Sequence, residues 1–143
     1  MSLDQVKDMC VTNFSLSITR ARIMIGLEKL IKDLRSGSIV VEIWIDGSFM
    51  TEKVDPEDVD IVLPVYHDIY DSGTEHQRQI LESIHGNLKV DLHCDSYVFF
   101  EYPEGHPLHE KGQRSREYWL RQFGTSRTGV PKGMAVVKVQ QNE

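Results

Sequence analysis

Asp58 and Asp60 stand one residue apart in the run Asp58-Val59-Asp60-Ile61-Val62-Leu63. Along an extended strand side chains alternate faces, so both carboxylates would project from one side while Val59 and Ile61 take the other. Two like charges so close repel each other unless a cation or hydrogen-bond donors compensate, an expensive start for a strand that needs only to pack. Hard oxygen donors on one face suit Mg²⁺. Just upstream an apolar run, Ile43-Trp44-Ile45-Asp46, ends in Gly47-Ser48, and a short polar stretch joins the two runs.

These residues need elements to hold them. Ile39 to Ile45 is β-branched and aromatic and reads as a first strand; Val59 to Val65 reads as a second, largely buried one, stopped at Pro64 or shortly after it. Before them, Ile23, Leu27, Leu30 and Leu34, with Met24 and Ile31, recur at helical spacing and predict an amphipathic helix over Thr19 to Leu34. Ser17 or Thr19 is its expected cap and Gly37 its left-handed stop, with its Arg and Lys residues facing solvent. Residues 1–16 have no clear period and suit a short helix or an irregular arm. A second helix is expected over Thr74 to Ile84, burying Ile80, Leu81 and Ile84. The alternation Leu88-Lys89-Val90-Asp91-Leu92-His93-Cys94 then predicts a third strand, resuming at Tyr97 to Phe100. Residues 101–110 read as a loop and Gln113 to Phe123 as a helix turning Tyr118, Trp119 and Leu120 inward. A turn-rich link, residues 124–133, leads to a last strand from Met134 to Val139.

Taken together, Gly47-Ser48, nine intervening residues, Asp58-Val59-Asp60, and a later carboxylate on a following strand form a pattern. On these residues the chain resembles the DNA polymerase β-like nucleotidyltransferase superfamily, over about residues 39–94. The resemblance implies an α/β (α+β) nucleotidyltransferase fold with a mixed central sheet flanked by helices. It also implies two Mg²⁺ ions, with Mn²⁺ as the alternative, held by Asp58, Asp60 and Asp91. Asp95, near the same strand's end, is the competing third ligand; Asp91 is preferred because apolar residues flank it. By the same resemblance Gly47 lets the backbone approach the phosphates of a nucleoside triphosphate, Ser48 donates hydrogen bonds to them, and Lys53 neutralises charge. Arg127 and Lys132 either reach the triphosphate or acceptor or decorate a hairpin. The implied reaction moves a nucleoside monophosphate to an acceptor hydroxyl of protein or RNA and releases pyrophosphate.

The chain is most like the minimal bacterial members, including those of toxin–antitoxin and phage-defence loci, some of which attach AMP to a protein tyrosine. Beyond Asp91 only about 50 residues remain, too few for the separate helical domain with which larger members grip base and primer; this argues against templated synthesis. Half a cleft admits completion by a homodimer or a partner protein. The alternative function is a catalytically weak module that binds a nucleotide or a partner.

The remaining features narrow the class. The 143 residues suffice for one domain with its own core, read here as 1–143 with a C-terminal basic helix and strand over 111–143. A mean hydropathy of -0.35 and short apolar runs exclude a membrane span, and the start Met-Ser-Leu-Asp lacks a signal core, so the expected location is the cytoplasm. Cys10 and Cys94 read as reduced structural thiols. The net charge of -6 is uneven: residues 111–143 hold 7 Lys/Arg against 2 Asp/Glu, a segment that suits either phosphate or solvent. His93, His106 and His109 match no standard zinc spacing, and no Gly-x-Ser-x-Gly elbow makes Ser48 a hydrolase nucleophile.

Overall fold

The computed structural model describes residues 1–124 and 134–140. Its centre is a four-stranded mixed sheet of order β3-β2-β1-β4, built from β1 (Val41–Asp46), β2 (Val59–Tyr66), β3 (Cys94–Glu101) and β4 (Ala135–Val139). β1 runs antiparallel to both β2 and β4, while β2 and β3 are parallel. The fold is therefore of the expected α/β class with helices on both faces of a mixed sheet. Pro64 does not end β2. It lies past the last residue paired with β1, Val62, so its missing N–H breaks no bond to that strand.

Alternation along the strands separates two cores. Ile43, Ile45, Ile61 and Leu63 face one side and pack under α2 (Arg20–Ser36) and α4 (Glu75–His85), whose buried residues include Leu27, Leu30, Leu34, Ile80, Leu81 and Ile84. Trp44, Val62 and Phe99 face the other side and meet Phe123 and Trp119 of α6 (His109–Gly124). At about 25 cal/mol per Å² of apolar area, each fully buried side chain among them contributes roughly 1.5–3 kcal/mol, and the half-buried Trp119 less. α6 is further fastened by Arg116, which lies over the Trp44 ring at 5.1 Å and pairs with Glu101 at 3.3 Å. Short helices complete the chain: α1 (Leu3–Lys7), capped by Ser2 and Gln5 and continued by a π turn over Asp8–Thr12, and α3 (His67–Asp71).

Several expectations are corrected. Of the two residues expected to cap α2, Thr19 holds the cap position without a side-chain capping bond and Ser17 supplies the oxygen, its Oγ accepting from the Arg20 amide at 3.1 Å; α4 is capped by Thr74 through a capping box with Gln77. Gly37 has φ -90, and the positive φ falls on Ser38. Gly37 is small for another reason, since a Cβ there would come within 2.8 Å of Ile80 Cδ1. Arg20 does not face solvent; it is wholly buried. Residues 89–92 are not strand but a helical turn, α5 (Lys89–Leu92), ended by His93 in the left-handed conformation, and β3 begins at Cys94. The alternation of Leu88, Val90, Leu92 and Cys94 misleads because Val90 is 90% exposed and α5 is set by what it packs on: Gly26 of α2 lies so close that a Cβ would be 1.9 Å from the Leu92 carbonyl oxygen.

Candidate functional site

Strand register gathers the carboxylates. Asp46 at the end of β1 pairs with Asp60 of β2, and Asp60 pairs with Asp95 of β3, so three carboxylates form one row across three neighbouring strands on the α6 face. Asp58, two residues before Asp60, extends the row at its edge. Asp91 lies exposed on α5, outside β3, so strand register does not place it in the row, and it does not line the cleft beside it. The third carboxylate beside Asp58 and Asp60 is therefore Asp95, and Asp46 is a fourth that the spacing of the motif did not reveal. Asn87 orients Asp95 through a 2.6 Å hydrogen bond from Nδ2 to Oδ1, while its own Oδ1 accepts from the Lys89 amide at 2.9 Å.

Electrostatics set the row apart from an ordinary strand end. Burial, then the charges of Asp58, Asp95 and Asp46, push the Asp60 carboxyl up to about 6, and a hydrogen bond with Asp95 adds to this. Asp58 is paired with Lys89, Oδ2 to Nζ 3.3 Å, and that contact holds Lys89 above its ordinary range. Tyr97 donates from Oη to Asp95 Oδ2 at 3.3 Å; burial first, and then Asp95, raise the phenol as well. The donor set fits a hard divalent cation: it offers carboxylate oxygens alone, and a cation would relieve the repulsion that shifts Asp60. Among the described residues no three His, Cys, Asp or Glu side chains stand already gathered as a metal group. Asp58 would have to exchange Lys89 for the ion.

The Gly-Ser element lies against this row. Gly47 has φ +87, and a Cβ there would fall 2.5 Å from Asp60 Oδ2, so only glycine both adopts the turn and leaves room for the carboxylate. A single 3₁₀ turn, Ser48–Met50, follows. The loop behind it is held by α2. The Arg20 guanidinium donates to the carbonyl oxygens of Cys10, Phe49, Thr51 and Lys53 at 2.5 to 3.1 Å, and lies over the Phe14 ring at 3.7 Å. Asp55 fastens the far end by accepting from the Ile18 amide at 2.8 Å and Ser17 Oγ at 3.1 Å, and those bonds hold its carboxyl below the usual range.

Row, Gly-Ser turn and α6 together enclose a cleft of about 1230 Å³. Gly47, Ser48, Lys53, Asp58 and Asp60 all line it, and so does Lys89, which carried no mark in the sequence. Its opposite wall comes from Tyr118, Trp119 and Arg121 of α6. Tyr118 is 48% exposed and Leu120 40%, so neither is the core residue that helical spacing suggested. Arg127 and Lys132 lie outside the described residues. Cys10 and Cys94 are both buried, and burial pushes the Cys94 thiol up to about 12, which suits a structural role.

A model of a family of unknown function, DUF6932, matches residues 1–138, nearly the whole chain, and the protein belongs to that family. Searches of the curated proteins and of the solved structures return no match.

Proposed function

We propose that this member of the family is a divalent-cation-dependent nucleotidyltransferase, moving a nucleoside monophosphate from a nucleoside triphosphate to an acceptor hydroxyl. The observation that carries the reading is the lateral row of Asp46, Asp60 and Asp95, continued by Asp58, beside a glycine turn that a side chain would close. A row of carboxylates is costly in a fold that uses it only for packing, whereas it matches the donors Mg²⁺ or Mn²⁺ prefers. The resemblance of Gly47-Ser48 and Asp58-x-Asp60 to the polymerase β-like superfamily, and the mixed sheet that carries them, support the same fold and chemistry.

In this reading Asp58, Asp60 and Asp95 hold the cation, with Asp46 packed beside them. When bound, the ion supplies charge stabilisation to the phosphoryl oxygens and acidifies the acceptor hydroxyl. The protein does the rest. Ser48 and the amides of the 3₁₀ turn orient the triphosphate, and Lys53 and Lys89 face its negative charge across the cleft. The acceptor oxygen attacks the α-phosphorus, a new O–P bond forms, the bond to the β-phosphate breaks, and pyrophosphate leaves; the acceptor proton passes to a cleft carboxylate and then to water. The acceptor is a hydroxyl of protein or RNA, which suits a toxin–antitoxin or phage-defence role in the cytoplasm, with a second copy or a partner protein closing the open side.

The pairing of Asp58 with Lys89 favours a second reading, a module that binds a nucleotide or a partner with little turnover. Transfer of α-labelled ATP, GTP, CTP and UTP to cell protein and RNA separates the two. Under the first reading label appears in one fraction with Mg²⁺ and vanishes in the Asp58→Asn, Asp60→Asn double variant. Nucleotide binding with no label in any fraction would leave only the module.

A further inference from the structure

One end of the cleft is lined by carboxylates, and its other wall is aromatic, with Arg121 and Gln122 beside the rings. Tyr97, on β3 two residues past Asp95, and Tyr118 and Trp119, on adjacent positions of α6, all line the cleft. Rings of a packing core are covered: Trp44, Phe99 and Phe123 are each at most 5% exposed on this same face of the sheet. Tyr97 and Tyr118 are instead 38% and 48% exposed, and Trp119 is half-buried between them. We infer that this aromatic wall is the base-binding side of the cleft and that the substrate class is a purine nucleoside triphosphate. The inference rests on the nucleotidyltransferase reading of the acidic row and specifies what that row would act on.

Geometry supports a stacking platform. The Tyr97 and Trp119 rings lie 4.8 Å apart, tilted by 37°, while Tyr118 stands nearly edge-on to the indole, 5.0 Å away at 80°. Tyr97 and Trp119 thus lie partly face to face, and the ring surface left open to the cleft is the exposed part of Tyr97 and Tyr118 beside the half-buried indole. A flat heterocycle laid on that open ring surface gains contact in proportion to its own area, and a bicyclic purine gains more than a pyrimidine does. Gln122, exposed on the next turn of α6 and also lining the cleft, carries the paired donor and acceptor of an amide, which suits a base edge. The wall is also joined to the chemistry, because the Tyr97 phenol donates to Asp95 at 3.3 Å. A base on the wall therefore leaves its triphosphate directed along the cleft toward Gly47, Lys53 and Lys89.

Calorimetric titration of the full chain in Mg²⁺ with ATP, GTP, CTP, UTP and inorganic tripolyphosphate tests this. The purine nucleotides should bind about 10-fold or more tightly than tripolyphosphate, with the pyrimidines between, as stacking of one base implies. Trp119→Leu, which keeps apolar packing on Phe123, should weaken ATP by about 5- to 150-fold and leave tripolyphosphate unchanged. Tyr118→Ala, at an exposed ring, should shift ATP the same way without disturbing the fold. Equal affinity for all five ligands, or ATP binding unchanged in both variants, would overturn the wall while leaving label transfer, and so the acidic row, intact. Purine-selective binding without transfer would keep the wall and count against the transferase. Failure of every triphosphate to bind would overturn both.

Discussion

Asp60 bears the strain of the site. Its carboxyl titrates near 6 in the fold against 3.8 in the unfolded chain, so the native state holds the proton more tightly and protonation favours folding. The cost is absent at pH values below the unfolded pKa, grows as pH rises between the two values, and is complete above the folded one. Allowing for its partial exposure, Asp60→Asn should stabilise the protein by about 1–2 kcal/mol at pH 7.5 without divalent ions, a rise in Tm of about 3–6 °C. Scanning calorimetry should show the gain shrinking as pH falls toward 4. A variant no more stable than the native chain at pH 7.5 would mean that Asp60 is not strained. Gly47→Ala is expected to act differently, abolishing transfer while costing about 1–3 kcal/mol, because the methyl group meets Asp60 Oδ2 and the residue must keep φ +87. Activity assays with urea unfolding would check this; full activity would show that the turn does not need the approach. At this scale Asp58 and Asp60 were legible because a two-residue spacing is a property of one strand. Asp46 was not, and Asp95 was legible only as the rival of Asp91, since a row across strands depends on register, which no local spacing states.

Among the elements, α2 does more than cover the sheet. Its first residue, Arg20, holds the loop behind the Gly-Ser turn through carbonyl oxygens on both flanks, and its middle admits α5 at Gly26. Arg20→Lys should cost roughly 2–4 kcal/mol in urea unfolding, because an ammonium cannot replace a planar fork and buried carbonyls lose their donors. A change under about 0.5 kcal/mol would show the loop to be held by other means. Gly26→Ala should destabilise by about 2–3 kcal/mol even though alanine is the better helix former by about 1 kcal/mol, because the obstacle is backbone and cannot swing away. Helical and strand periods made α2, β1, β2, α4 and β4 readable. The buried arginine was hidden because charge at a helix start normally faces water, and the turn at residues 89–92 because its apolar residues alternate as a strand's would. What overrode the alternation was tertiary: Asn87 and Ser96 bind the flanking backbone, with Ser96 Oγ accepting from Leu88 and donating to the Ile84 carbonyl at 2.7 Å.

For the whole molecule, the sheet delivers acid to one end of a face whose other end is closed by α6, and the cleft lies where that cover stops. No helix among the described residues is long and apolar enough to cross a membrane. The α/β class was legible from the order of apolar runs, but the cleft was not, because it is made by a helix and three strands that no contiguous stretch contains. The proposed transferase requires this row to hold a divalent cation through Asp95 and not Asp91. Titration of Mn²⁺ followed by electron paramagnetic resonance, in the presence of a nucleoside triphosphate, measures it directly. The native chain and Asp91→Asn should take up the ion alike, while Asp60→Asn and Asp95→Asn weaken uptake by about 10-fold or more, as loss of one carboxylate ligand implies. Equal uptake by all four proteins, or a loss confined to Asp91→Asn, would contradict a cation site on the row.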